Sequence, residues 1–104
     1  MGKLRDNPKE RRSGLYLAEV TIPNKKGLHA RASAQFVRCT SGFTAEVRVT
    51  REGHTVGGTS IMGLMMLAAG PGTTVVVSSI GPEAQAAVDA IAELVASKFN
   101  EEGT

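Results

Sequence analysis

The hydrophobic pattern of this chain predicts an α+β fold, an open-faced sandwich in which one four-stranded antiparallel sheet carries three helices on a single face. Three observations predict it. Apolar residues alternate at strand period over 15–22 and 43–50, and residues 73–80 form a run rich in β-branched side chains. Between and after these lie apolar stripes at helical spacing, the last of them following Pro82. The resulting order is strand, helix, strand, strand, helix, strand, helix, which right-handed crossovers allow as one open sheet with the last strand inserted between the first two.

Residues 1–14, MGKLRDNPKERRSG, are charged, are punctuated by Pro8 and Gly14, and have few side chains to bury. They predict a disordered basic extension outside a domain of residues 15–104. In LYLAEVTI, residues 15–22, Tyr16, Ala18, Val20 and Ile22 share the inner face of the first strand. Pro23 to Gly27 form a loop. From His29 to about Ser41 the period turns helical, with Ala32, Phe36 and Cys39 on a stripe flanked by Leu28 and Ala34, and Gly42 as the expected left-handed C-terminal cap. Cys39 reads as a small buried hydrophobe.

Phe43, Ala45, Val47 and Val49 then alternate with polar residues as a half-buried strand, and Arg51, Glu52 and Gly53 turn it into a short return strand through His54, Thr55 and Val56. His54 reads as a solvated edge residue. Ser60 is a good N-cap for the apolar helix IMGLMML. Ile61, Met62, Met65 and Met66 are more bulk than one short helix buries on one face, so some should be exposed. Flexible thioethers at a surface suit an interface that fits several partners, and gap-filling in the core accounts equally well for at least half of them. TTVVVSSI, residues 73–80, has the apolar centre of a central strand. The last helix starts at Pro82, with Glu83 placed against the dipole. Its stripe of Ala84, Ala87, Val88, Ile91, Leu94 and Val95 lies across the sheet, and Asn100, Glu101, Glu102 and Gly103 are expected to fray.

Composition narrows the function. The 104 residues make one domain, and the net charge of +2 is a local matter, because eight of the twelve Lys and Arg residues fall within the first 31 positions. One Tyr, three Phe and no Trp leave little on which to stack nucleobases, so no nucleic-acid partner is expected. The single cysteine excludes an internal disulfide and a multi-cysteine zinc site, and no metal or cofactor is expected. No apolar run reaches membrane-spanning length and no signal-peptide core opens the chain, so a cytoplasmic protein without a membrane partner is expected.

The chemistry gathers in GLHARASAQF, residues 27–36. Gly27 permits a sharp turn, and the residues from Ala30 onward favour helix, which makes His29 a helix-opening residue. The first N–H groups of a helix have no partner within it and carry the positive end of the dipole, so an anion beside His29 would meet ready donors. Arg31 adds a full charge, and Ala30 has no bulk to block a tetrahedral anion. The same field disfavours an imidazolium, which predicts a ring with a free nitrogen to act as nucleophile. A helix N-terminus favours an anion by only about 0.3–1 kcal/mol, up to ~2 when partly buried. Such a site cradles a group lightly enough to pass it on. A surface or core histidine without chemistry is the other reading of these residues.

GLHARASAQFV, followed by GF after the first helix and then by GGTSIMGLMML and GTTVVVSS at the same intervals, resembles the HPr family from about Leu15 to Phe99. These are the histidine-containing phosphocarriers of the bacterial phosphoenolpyruvate-dependent phosphotransferase system. The resemblance implies that His29 accepts a phosphoryl group on Nδ1 from phosphorylated Enzyme I and hands it to an Enzyme IIA-type acceptor, with no turnover of its own. It implies that the backbone N–H groups of Ala30 and Arg31 hold the group and that Arg31 assists its binding and release. It further implies that Ser60 corresponds to the serine modified in many bacteria by an HPr kinase/phosphorylase, and that Ile61, Met62 and Met65 fall on the family's apolar docking patch. A monomer suits a shuttle that must free one face for successive partners. Ala32 stands where the family commonly carries proline, so the first helical turn is less rigidly preset. The sugar and nitrogen-regulatory branches of the system stay equally open. Two rival readings are a regulatory binding module of the same fold acting through Ser60 and the methionines without relaying phosphate, and a small nucleic-acid binder built on the basic tail.

Overall fold

The computed structural model describes residues 15–101; the extension expected at 1–14 and the last three residues lie outside the described residues. The elements are β1 (Leu15–Thr21), α1 (Ala30–Ser41), β2 (Glu46–Arg51), β3 (His54–Gly57), α2 (Ile61–Met66), β4 (Thr74–Ile80) and α3 (Ala84–Ala96), closed by a 3-10 turn at Lys98–Asn100. Strand order is β1-β4-β2-β3, with every neighbouring pair antiparallel. β4 therefore lies between β1 and β2, as its apolar centre predicts.

Register explains how one face becomes the core. Ala18 pairs with Val77, and Val77 pairs with Val49, so three inward side chains form a row across the sheet. All three are buried, together with Val47 and Val75. Against them pack Phe36 from α1, Leu64 from α2 and Ala87, Val88, Ile91 and Val95 from α3. The alternate residues, among them Glu19, Glu46 and Arg48, face solvent. Period-2 alternation in the strands and the stripes on the helices thus meet in a single layer of apolar contact.

Four expectations are corrected. Gly42 ends α1 in right-handed geometry at φ −82°, its N–H closing on the Cys39 carbonyl while Phe43 N–H takes that of Thr40, so no left-handed cap is needed there. The last helix begins at Ala84 rather than Pro82, because the Glu83 carboxylate accepts the Thr44 N–H at 2.6 Å and ties the turn to the approach of β2 instead of capping α3. All four large residues on α2 are exposed, Ile61 at 39 %, Met62 at 69 %, Met65 at 40 % and Met66 at 78 %, so core gap-filling accounts for none of them. Leu64 and Leu67 fill the core there instead. Finally, Asn100 and Glu101 do not fray. Phe99 is fully buried and its carbonyl accepts from Gln35 Nε2 at 2.9 Å, which holds the end of the chain against α1. Cys39 is half-buried against the core, and burial pushes its thiol above the usual range.

Candidate functional site

The loop before α1 is held by its own backbone. Gly27 adopts φ +62°, donates to Asn24 O at 3.1 Å and lies against the Ala69–Gly70 segment that follows α2, while Leu28 N–H bonds Ala69 O at 3.0 Å. The chain is thereby delivered to His29, which is the N-cap of α1 with extended backbone. The first main-chain bond of the helix runs from Ser33 N–H to His29 O at 2.8 Å, so the amides of Ala30, Arg31 and Ala32 stand ahead of the ladder. His29 Nδ1 accepts from Arg31 N–H at 3.3 Å. Nδ1 therefore faces the amides that an anion would use. Ala30 and Arg31 are exposed, and the His29 side chain is 26 % exposed.

The other ring nitrogen is engaged. His29 Nε2 lies 2.5 Å from Glu101 Oε2, and the Glu101 side chain is only 6 % exposed. Since Nδ1 receives a backbone N–H and Nε2 faces a carboxylate, the hydrogen-bond network assigns the ring proton to Nε2. Glu101 Oε1 in turn accepts from Asn24 Nδ2 at 3.1 Å, and the same amide nitrogen donates to Gly27 O at 2.9 Å. Asn24 is buried and its Oδ1 has no hydrogen-bond partner among the described residues, an arrangement that costs about 1–3 kcal/mol. Both acceptors fix which way the amide points. The field at the imidazole is thus set by a carboxylate as well as by the helix end and Arg31, which were the only neighbours the sequence suggested.

Burial opposes the charge on Glu101, but hydrogen bonds from His29 and Asn24 and the fields of His29 and Arg31 outweigh it and hold the carboxyl below its usual value of 4.5. A carboxyl depressed in the folded state stabilises the fold fully above its unfolded value and loses that contribution as pH falls through the folded one. The urea midpoint should therefore decline as pH drops below 4.5, and in Glu101→Gln this part of the decline should flatten. Parallel acid profiles for the two chains would show that the carboxyl does not contribute.

Glu101 is the residue that sequence reasoning missed. It follows a turn in which Lys98, Phe99 and Asn100 have φ of 58°, 57° and 58°, a left-handed conformation costing each such residue roughly 1–2 kcal/mol. Burial of Phe99 offsets part of that cost. A large aromatic just beyond the end of the helical stripe was the available signal that the chain turns back to the core. Ser60 caps α2, accepting Gly63 N–H at 2.9 Å, and is exposed beside Ile61, Met62 and Met65. α2 packs beside α1, and the segment after it holds Gly27, so this apolar patch and the His29 loop are neighbours. His54 stays exposed at the start of β3. Among the described residues no group of three or more His, Cys, Asp and Glu could hold a metal, and no helix is long and apolar enough to cross a membrane.

One antiparallel sheet roofed on one face by helices, with a part-exposed histidine capping the first of them, defines a small α+β domain of the phosphocarrier type. Residues 17–97 match the family described as the PTS HPr component phosphorylation site. The chain is 48 % identical over 83 residues to the phosphocarrier protein HPr of Cupriavidus necator, covering 80 % of this chain and 93 % of that one. It is 42 % identical to the phosphocarrier protein NPr of Shewanella violacea, covering 80 % and 91 % respectively. The crystal structure of HPr from Thermoanaerobacter tengcongensis superposes with a TM-score of 0.79 at 38 % identity, covering 83 % of this chain and 97 % of that one. The chain belongs to the HPr family. It is a phosphocarrier component of the phosphotransferase system and not an enzyme with turnover of its own.

Proposed function

We propose that His29 is the residue that carries the phosphoryl group, on Nδ1, between phosphorylated Enzyme I and an Enzyme IIA-type acceptor. The observation that carries this reading is the orientation of the ring: Nδ1 sits over the amides at the start of α1 while Nε2 is held from behind. As Nδ1 bonds to phosphorus, the Arg31 N–H released from Nδ1 turns to a phosphoryl oxygen, and Ala30 N–H lies one residue before it. Arg31 supplies the full positive charge from the exposed side. The stabilisation at such a helix end is about 0.3–1 kcal/mol, up to ~2 with partial burial, so the loaded state stays near balance with the unloaded one. On this reading the carrier unit is residues 15–104, cytoplasmic and monomeric, with the basic extension 1–14 outside it. Incubating the full chain with Enzyme I and phosphoenolpyruvate should give one acid-labile phosphate per chain, with phosphorus coupled to Nδ1 of His29. An acid-stable label, or one that maps elsewhere, overturns the assignment.

On the same reading Ile61, Met62 and Met65 dock the partners, and Ser60 is the serine on which an HPr kinase/phosphorylase acts to slow the traffic. Exposed apolar side chains of 39 %, 69 % and 40 % beside an exposed serine support it. Ser60→Asp separates charge from structure, because aspartate is itself a good N-cap and keeps the start of α2 intact. A negative charge on a patch that meets an acidic partner should raise the KM for Enzyme I about tenfold, equivalent to ~1.4 kcal/mol, with kcat little changed. An unaltered KM would detach Ser60 from the docking surface.

A further inference from the structure

We propose that Glu101 is the positioning residue of the carrier histidine, its carboxylate keeping the ring proton on Nε2 and facing the positive charge that the ring gains when Nδ1 is loaded. The proposal rests on the reading of His29 as carrier. It is independent of the family comparison and comes from three features that converge on the Glu101 carboxylate.

The first is geometric. Nε2 and Oε2 are 2.5 Å apart, and the acid is almost completely removed from solvent while the histidine is not. The second is the buried amide of Asn24, which directs its donors to Gly27 O and Glu101 Oε1 and leaves its own oxygen without a partner among the described residues. A buried polar group held in an unfavourable arrangement calls for a reason, and here the arrangement locks the carboxylate onto the loop that places His29. The third is the left-handed path of Lys98, Phe99 and Asn100, which leads the chain away from the axis of α3 and brings Glu101 back to the start of α1. Strained backbone of this kind persists where surrounding contacts over-determine it, as the burial of Phe99 and its bond to Gln35 do.

The chemistry follows from the proton on Nε2. On loading, the Nδ1 lone pair forms the N–P bond as the bond between phosphorus and the phosphorylated donor protein breaks, the electron pair leaving with the donor. The proton stays on Nε2, so the ring becomes an N-phosphoryl imidazolium with its charge spread toward Glu101. On unloading, the N–P bond breaks, its electron pair returns to Nδ1, and the ring departs as neutral imidazole. Without a proton on Nε2 the leaving group would be an imidazolate, a far poorer one. Among the described residues, the charged groups acting on the cluster are Arg31 from α1 and Glu101 itself; Asn24, from the loop, is neutral.

Two measurements on the full chain test this. In the unphosphorylated protein, 15N-resolved NMR should show an Nε2–H on His29 that is shifted downfield and protected from exchange, retained in Glu101→Gln, whose carbonyl still accepts, and lost in Glu101→Ala. In the phosphorylated protein, the Nε2 titration midpoint, followed through the phosphorus shift, should fall by about one pH unit in Glu101→Gln, and phosphoryl acceptance should slow about tenfold at unchanged KM for the donor. A wild-type ring without a protected Nε2–H, or a midpoint and rate that do not move in Glu101→Gln, overturns the proposal and leaves Glu101 as an anchor for the end of the chain. Phosphate that never reaches His29 overturns the carrier reading instead, and the Nε2–H resonance would then still report whether the acid holds the ring.

Discussion

His29→Asn is expected to abolish acid-labile phosphorylation by Enzyme I and phosphoenolpyruvate, with at least about a 10³-fold loss of acceptance, while the domain stays folded. The magnitude follows from removing the atom that forms the new bond, a loss that neighbouring groups do not replace. Asparagine is the informative replacement because it is among the best N-caps and can still accept a backbone N–H at the start of α1. The structural cost is confined to Glu101, which loses Nε2 but keeps its bond from Asn24. Loss of one hydrogen bond to a charged group costs about 1.5–3 kcal/mol, less than the 5–15 kcal/mol that holds a typical domain. His29→Ala should lose acceptance equally and fold slightly less well, for want of the cap. A folded His29→Asn chain that still takes acid-labile phosphate from Enzyme I would remove His29 from the role proposed for it.

Gly27→Ala is expected to be the most damaging single methyl group that can be added near the site. A Cβ there would lie 2.3 Å from Ala69 O and 2.8 Å from Gly70 Cα, both backbone atoms, at a residue whose φ is +62°. The left-handed conformation alone costs a non-glycine residue roughly 1–2 kcal/mol, and the overlap forces one of two packed loops to move, adding typically 1–3 kcal/mol. A total of about 2–5 kcal/mol lowers the unfolding temperature of a domain this size by roughly 10 °C or more. The loop that moves is the one that sets His29, so acceptance should fall as well. Gly53→Ala is the matched control: its φ is +83°, but among the described residues nothing lies within 4 Å of where a Cβ would sit. It should show the conformational cost alone. Thermal unfolding of the two variants side by side separates the terms, and equal losses would show that contact with Ala69 and Gly70 is unimportant.

How far the sequence could be read depended on how local each signal was. The alternation in 15–22 and the stripe from Ala84 to Val95 reappear as the inner faces of β1 and α3, and Val47 and Val49 as that of β2, because period alone decides which side chains point the same way; the strand expected from Phe43 starts only at Glu46, with Phe43 and Ala45 packed against the core from the segment ahead of it. His29 as a helix opener was readable for the same reason, from Gly27 before it and helix-favouring residues after it. Gly42 misled, since a glycine at a helix end permits a left-handed cap without requiring one. Glu83 misled because its partner, Thr44 N–H, lies 39 residues away. The α2 methionines were ambiguous in composition and unambiguous only once Leu64 and Leu67 had taken the available core.

By itself, then, the sequence determined the order and inner faces of the elements and placed an imidazole at the first turn of a helix, because hydrophobic period and capping act over a few residues. Only the tertiary structure decided what lies behind that imidazole. Glu101 is 72 positions further along the chain, and it reaches Nε2 because Phe99 is drawn into the core and the backbone folds back over α1 to allow it. Such a contact depends on the packing of distant elements against one another, and no local pattern of residues encodes it.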